Sequence, residues 1–530
     1  MSATARFTSS APFGVVDGWS LERLTQPSRL FGANGIRTGP DGRIYIAQVA
    51  GSTISALDLE TGDVETVSAK GSDIVGPDDV AFAPNGDMYI TEYCDGRVSV
   101  RTPDGRTRLV RDDLPGANGI TVHQGRLFVN ECRIGGRLME LTPDGGEPKV
   151  LLENLPMPNG MEVGPDGKLY YPLLGTNEIW RIDPEGGEPE RVAADLGVPD
   201  AVKFDSEGFI VSTQVASGQV LRINPRNGEQ TVLASLAPGL DNLTFAGERL
   251  FVSSFTGQIT EILAGGETRT ALADGLTWPL GLAVDGTGTL HIADGSFFHA
   301  LHPGGDVQAL GMMFSPGYPG YARGVTAIGN GEFLVSGNGA VSRYNPGMAE
   351  GEILAEGLDQ AYGVAVSPAG NVAVADLGAG TVEWVHSGKT ERLAGNLNRP
   401  IDVAFTANGT CLIAESGAGR IVAATGSGID VVVDGLEEPH GIVVHDDILY
   451  IVDVGAKSVV AVDLETKART IVALNVPVGA PEGVETKPLK GLPPLSGAQG
   501  PFAGIAVGPD GTIYISADAE GSVLALRKKG

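Results

Sequence analysis

Short runs in which apolar and polar residues alternate recur along the whole chain, and each is bounded by turns rich in Gly, Pro, Asn or Asp. Alternation at a period of two over four to six residues predicts half-buried strands, and the turn residues punctuate them. One longer pattern repeats: a polar residue, usually Gly, an aliphatic, any residue, an aliphatic, a PDG-like turn, then an alternating strand. Copies start at Asn34 (NGIRTGPDGRIYIAQ), Asp78 (DDVAFAPNGDMYITE), Asn118, Asn159, Asp200 and Asp241. They continue from Leu280, Arg323, Tyr362, Ile401, His440 and Ala503. Most starts are about 39 to 44 residues apart, and the last interval is about 63. No helical period of useful length interrupts the series.

Each copy reads as four antiparallel strands; in the second, 80–82, 88–91, 97–101 and 106–110 are expected. A single such sheet cannot bury both of its faces, so copies must stack into rings. The expected fold is all-β: two tandem six-bladed β-propellers of four-stranded antiparallel blades. A segment resembling an outer strand, 21–25, precedes the first copy, and the twelfth copy ends after its third strand. If 268–273 likewise begins the second ring, each half opens with the strand that closes it. The cut then falls near 264–266, giving domains 1–264 and 265–530, with insertions at 311–322 and 475–502. The alternative exchanges the two closing strands between the rings and needs a second crossing; the simpler topology is expected.

Composition adds limits. The formal net charge is −28, which disfavours nucleic acid and anionic membrane as partners. No CxxC pair is present among Cys94, Cys132 and Cys411, so spacing offers no zinc or redox motif. No signal peptide or long apolar span is visible, and a cytoplasmic location is the default. GxSxG, Walker and HExxH motifs are absent, so a serine nucleophile has no support. The sequence sets no oligomeric state.

The residue that opens each copy should sit in a ring around one mouth of its channel. In the first half the ring is Asn34, Asp78, Asn118, Asn159, Asp200 and Asp241, all amides or carboxylates. In the second it is Leu280, Arg323, Tyr362, Ile401, His440 and Ala503. Six converging oxygens suit a hard cation such as Ca2+, although another divalent cation would also fit. Asn or Asp before Gly also makes a good turn, but that reading predicts the same residues in both halves. A second set ends the second strands: Glu92, Asp95, Glu131, Cys132, Arg133, Gln214 and Ser254, then Asp294, Asp376, Glu415 and Asp453. Each acid there reads first as a turn cap, while Arg133 suits a substrate carboxylate or an oxyanion. His123 reads as a turn residue, His440 as a structural histidine, and Cys94 and Cys132 as packing residues. The insertions read either as a lid or as plugs for the second channel.

The stretches PNGMEVGPDGKLYY, PDAVKF and LDNLTF resemble the regucalcin/gluconolactonase-like (SMP-30/gluconolactonase/LRE) calcium hydrolases, within the wider set that includes paraoxonases. The resemblance implies that Asn159 and Asp200 are metal ligands, with Asn118 next. Asp241-Asn242 is similar to the Asp-Asn pair of paraoxonases. Where the family usually places a Glu, this chain has Asn34. The expected activity is a metal-dependent, lactonase-like hydrolase acting on a lactone or similar activated carbonyl in a small molecule. Asp200, Asp78 or Glu131 would be the general base and Arg133 an auxiliary. A lyase or addition enzyme on the same scaffold, and a binding propeller with a structural metal, are the alternatives.

Overall fold

The computed structural model describes residue 6 and residues 12–425, 428–491 and 498–529. Among these residues every strand belongs to one of twelve antiparallel sheets, eleven of four strands and one of five. Two single 3-10 turns, Ala264–Gly266 and Ser416–Ala418, are the helical elements among them, and no helix is long and apolar enough to cross a membrane.

The repeat that opens at Asp78 shows how a copy becomes a blade. Its strands are Pro77–Phe82, Met88–Glu92, Arg97–Arg101 and Thr107–Arg111, paired in sequence order through tight Gly turns. Alternation places Val98 and Val100 on one face, where Tyr89 and Ala81 join Ile120, Leu127, Val129 and Met139 of the following blade. The core is therefore a set of apolar layers between neighbouring blades. Each buried aliphatic there contributes about 1.5–3 kcal/mol relative to exposure. This is why a blade is stable only in company.

The first strands Ile36–Thr38, Pro77–Phe82, Ala117–His123, Glu162–Val163, Pro199–Phe204 and Leu240–Ala246 neighbour one another in that order, and the last returns to the first. Hydrogen bonds from Ser253 Oγ to the Asn34 carbonyl (2.8 Å) and from the Thr38 amide to Thr244 Oγ1 (3.0 Å) seal the return. A second cycle runs through Leu282–Val284, Gly324–Gly329, Ala361–Val366, Pro400–Phe405, Pro439–His445 and Ile505–Val507.

The closing strands correct the expected domain boundary. Thr268–Leu272 pairs with Ile259–Ile262 and completes the sixth blade of the first ring. Trp19–Arg23 pairs with Ser522–Lys528 and completes the last blade of the second. The exchange that needs two crossings is the one found. One compact unit is Arg29–Gly275 with Val484–Leu492; the other is Met1–Ser28, Leu276–Gly483 and Pro493–Gly530. The cut at 264/265 and the division 1–264, 265–530 therefore do not hold. The pairing has a chemical basis: Trp19 joins Tyr450, Ile513, Leu524 and Leu526 in one apolar cluster, and Arg23 forms a two-pronged ion pair with Glu520 (2.7 and 3.0 Å).

Removing the residues before Arg29 should therefore strip the closing strand from the second ring and spare the first. Differential scanning calorimetry should show one transition lowered by 10 °C or more, on the order of a lost strand's apolar burial, with the other retained. Equal loss in both transitions would contradict this assignment.

The two channels are filled differently. Three residues after the opening residue of each copy, the first ring carries Arg37, Ala81, Thr121, Glu162, Lys203 and Thr244. The second carries Ala283, Thr326, Ala365, Ala404, Val443 and Ala506. Small side chains leave a cavity of about 280 Å³ in the second channel. Residues 498–503 cover the end where His440 lies. Arg323 Nη2 donates to the Ala498 carbonyl (2.6 Å), Phe502 lies edge-on to Tyr362, and the Ala503 amide donates to His440 Nδ1 (3.3 Å). This part of the long insertion is a plug. The insertion at 311–322 bridges the two blades that flank it, with Tyr318 against Tyr344 of the following blade and its hydroxyl on the Gly295 carbonyl of the preceding one (3.0 Å).

Candidate functional site

The first ring gathers its six opening residues at one mouth. Asp78, Asn118, Asn159, Asp200 and Asp241 are buried, and Asn34 is partly so. A bulge adds one residue to the first strand at each of four positions, between Pro77 and Val80, Ala117 and Ile120, Pro199 and Val202, and Leu240 and Leu243. A bulge bends the strand and re-aims the side chain it carries. The same bulges occur in the second ring, so the backbone device is general and the amide and carboxylate side chains at the opening positions are particular to the first ring. The Gly that follows has a packing cause: a β-carbon on Gly35 would lie 2.5 Å from the Asp78 carbonyl, and one on Gly119 would lie 2.4 Å from the Asn159 carbonyl.

Two amides hold two carboxylates. Asn159 Nδ2 donates to Asp200 Oδ2 (3.1 Å) and Asn34 Nδ2 to Asp241 Oδ2 (3.2 Å). Asn34 Oδ1 accepts the Val49 amide (3.1 Å). Among the described residues no side chain hydrogen-bonds the Asp78 carboxyl, and no Lys, Arg or His forms an ion pair with Asp78, Asp200 or Asp241. Burial, with repulsion from Asp79, raises Asp78 to about 8. Burial and the charges of Asp78 and Asp79 push Asp200 well above the usual carboxylate range. Asp241 is pushed up in the same way by burial, Asp200 and Asp78. Cys132 lies within reach of all three charges, and Cys94 within reach of Asp78 and Asp95. Both thiols are held protonated, chiefly by burial, as packing residues would be.

One layer deeper lies a cluster that the repeat pattern did not single out. Arg37 Nη1 binds Glu162 Oε2 (2.7 Å), Lys203 Nζ approaches the same oxygen (3.1 Å), and Thr121 Oγ1 donates to Glu162 Oε1 (2.9 Å). Asp79 accepts the Val80 amide (2.8 Å) and faces the charges of Arg37 and Lys203. Burial opposes the Glu162 charge, but Lys203 and Arg37 hold its carboxyl at about 2. Inside this channel Asp78, Asp79, Glu162, Asp200 and Asp241 meet two cations, Arg37 and Lys203. The cations are committed to the deeper layer, and the carboxyl groups of the mouth keep their protons because no cation among the described residues offsets their charge. The signal in the sequence was the residue three places after each opening residue, charged in three of the six copies of the first half and uncharged throughout the second.

The second-strand residues are caps. Glu92 accepts the Val75 amide (2.7 Å), Gln214 the Gly197 amide (2.9 Å) and Asp294 the Thr277 amide (2.9 Å). Asp376, Glu415 and Asp453 accept the amides of Asp359, Asn398 and Glu437 in the same way. Glu131 is fully buried and bound by Arg137 through both of its oxygens and by Arg133 Nη2 (3.1 Å). Its oxygens are taken by two guanidinium groups, so it leaves the set of candidate bases. Arg133 is correspondingly tied to Glu131. His123 ends the strand Ala117–His123, away from the ring.

The ring offers oxygen donors only, and its carboxylates are close enough to raise one another while lacking a cationic partner. That chemistry fits a hard divalent ion. No three His, Cys, Asp or Glu side chains among the described residues form a ready cage, so Asn oxygens and water would have to complete the coordination.

Residues 18–256 match the family model described as the SMP-30/Gluconolactonase/LRE-like region. A gluconolactonase from Zymomonas mobilis subsp. mobilis is 29% identical over 142 residues, covering 26% of this chain and 33% of that protein. The match thus spans about a third of that relative's length. Among solved structures, a streptogramin B lyase aligns with a TM-score of 0.40 and 19% identity over 52% of this chain and 94% of the other. A gluconolactonase from Xanthomonas campestris aligns with a TM-score of 0.38 and 17% identity over 46% of this chain and 88% of the other.

Proposed function

We propose that the first ring is a divalent-cation-dependent hydrolase of lactones or similarly activated small-molecule esters, with calcium the favoured ion. The observation that carries this reading is the cluster of Asp78, Asp200 and Asp241, buried together without a cation. The family model that residues 18–256 match and the gluconolactonase relative support the same class of substrate. Asn118, Asn159 and Asp200 would hold the ion, with Asp241 and Asn34 beside them. When bound, the ion supplies Lewis acidity toward a carbonyl oxygen. The chain supplies the rest. The Asn159 and Asn34 amides fix the orientation of Asp200 and Asp241. Asp78, which no side chain among the described residues hydrogen-bonds and whose pKa is raised, is the carboxylate best placed to take a proton from water. The layer of Arg37, Glu162 and Lys203 lies beneath the mouth and holds its own charges in ion pairs.

Three measurements test this. Asn159→Ala and Asp200→Ala should each lower bound calcium, read by metal analysis after gel filtration; full stoichiometry in both variants would sink the ligand assignment. A panel of lactones and esters should be turned over and silenced by chelator. Asp78→Asn should keep bound metal and lower kcat by about 10²–10⁴, the usual worth of a general base. Binding of the panel without turnover would favour a non-catalytic propeller.

A further inference from the structure

We infer that residues 484–491 form a specificity-determining wall of the first ring's mouth, with Leu489 as the residue that positions it. This rests on the hydrolase reading of that mouth. The segment lies in the long insertion ahead of the last repeat, yet it belongs to the same compact unit as Arg29–Gly275.

Three anchors hold it. A β-carbon on Gly71 would meet Val484 Cγ1 at 2.9 Å and the Glu485 carbonyl at 3.0 Å. Lys487 Nζ donates to the Ser72 carbonyl (2.8 Å) and lies 3.8 Å from Asp73. Leu489 is 3% exposed. A β-carbon on Gly76 would lie 3.1 Å from Leu489 Cδ2, with Cys94 Cβ and Val49 Cγ1 both 3.8 Å away. Gly76 is two residues before Asp78, and the Val49 amide is the group that binds Asn34 Oδ1. Leu489 thus sits on the rim between the two blades that contribute Asn34 and Asp78. Lys490 follows it, its ammonium largely exposed and 4.0 Å from Asp95.

A buried aliphatic at the lip of a polar mouth narrows the entrance on one side without supplying a ligand. Its effect should fall on which substrates fit, because a pocket wall discriminates by about 10–200-fold per methylene of overlap. Gly76 lets Leu489 approach closely, because a β-carbon there would crowd Leu489 Cδ2 at 3.1 Å.

The test uses the full chain with Leu489→Ala, and a second variant in which 484–491 is replaced by Gly and Ser at equal length. Under native conditions Cys94 should react with a small maleimide at least tenfold faster in both variants, read by peptide mass. The kcat/KM ratio of a bulky lactone to a compact one should rise fivefold or more, mostly through KM. The kcat for the compact lactone and the bound metal should stay within about twofold, as expected of a group outside the reacting atoms. Unchanged Cys94 labelling, or faster labelling with an unchanged lactone ratio, overturns the inference. If the unaltered protein turns over no lactone, the hydrolase reading falls by itself. The wall is then judged at Cys132, which lies among Asp78, Asp200 and Asp241. A bulky thiol reagent should gain on a small one in the variants, and an unchanged ratio overturns it.

Discussion

In calcium-free buffer the thermal midpoint of the first ring should fall as the pH rises from about 5 to about 8, and saturating calcium should abolish most of that fall. The sign follows from the direction of the shifts. Asp78, Asp200 and Asp241 all have folded-state pKa values raised above those of the unfolded chain. The folded state therefore holds protons that the unfolded state has released. Their contribution to stability is present in full below the unfolded carboxylate pKa of about 4 and is lost as pH rises through the folded value, about 8 for Asp78. Each titrating group costs about 1.4 kcal/mol per pH unit in that window. The three act together, so the protons leave in macroscopic steps that belong to the cluster. A net loss of about 3–5 kcal/mol corresponds to roughly 10 °C in a domain of this size. Carboxylates with depressed values, Glu162 and Asp285 at about 2, lose their contribution only under acid conditions and do not mask the trend. Calcium binding should release protons, measurable by calorimetry in buffers of different ionisation enthalpy. Asp200→Asn should flatten the slope. A metal-free midpoint that is level or rises between pH 5 and 8 would remove the carboxylate cluster as a cation site.

The second large effect belongs to the layer beneath. Glu162→Gln leaves Arg37 and Lys203 facing each other with Asp79 as their remaining counter-charge. Breaking one partner of a buried ionic group costs about 3–5 kcal/mol. Here the lower end is expected, because the Glu162 side chain is 21% exposed. Urea denaturation should show the loss in the first-ring transition. Adding Lys203→Met restores the balance of one cation to one anion, Arg37 with Asp79, and should recover at least half of it. Recovery by Lys203→Met in the Glu162→Gln background, but destabilisation by Lys203→Met alone, would establish the coupling. Additive losses would show that the layer acts through packing alone.

The repeat was legible because four-stranded blades need the same alternation and the same turns every time. The expected strands at 80–82 and 88–91 fall inside those found, and all six ring residues of the first half open their copies as expected. The closure was not legible. A four-stranded repeat can be cut before any strand, and the segment at 21–25 looks like an outer strand whichever blade it joins. The choice is made by Trp19 meeting Tyr450, and by Arg23 meeting Glu520, contacts that no local pattern contains. Glu131 was misjudged for a related reason. Its partner Arg137 lies six residues on, where the sequence shows two charges but not that both oxygens are taken. The deeper ionic layer was hidden because Arg37, Glu162 and Lys203 stand in three separate copies, and only the ring brings them together.

The pairing of Trp19–Arg23 with the final strand has a consequence for synthesis. Ser20 and its neighbour Arg527 are separated by 507 residues, and at about 5–20 residues per second a ribosome needs roughly 25–100 s to span that gap. The six blades of the first ring are contiguous and can fold while the chain is still emerging. The strand made near the start must wait through all of it, an unpaired edge carrying Trp19 and Leu21. For that interval the nascent chain holds a half-formed hairpin open to any passing strand. The order of manufacture thus makes the second ring the later of the two to close.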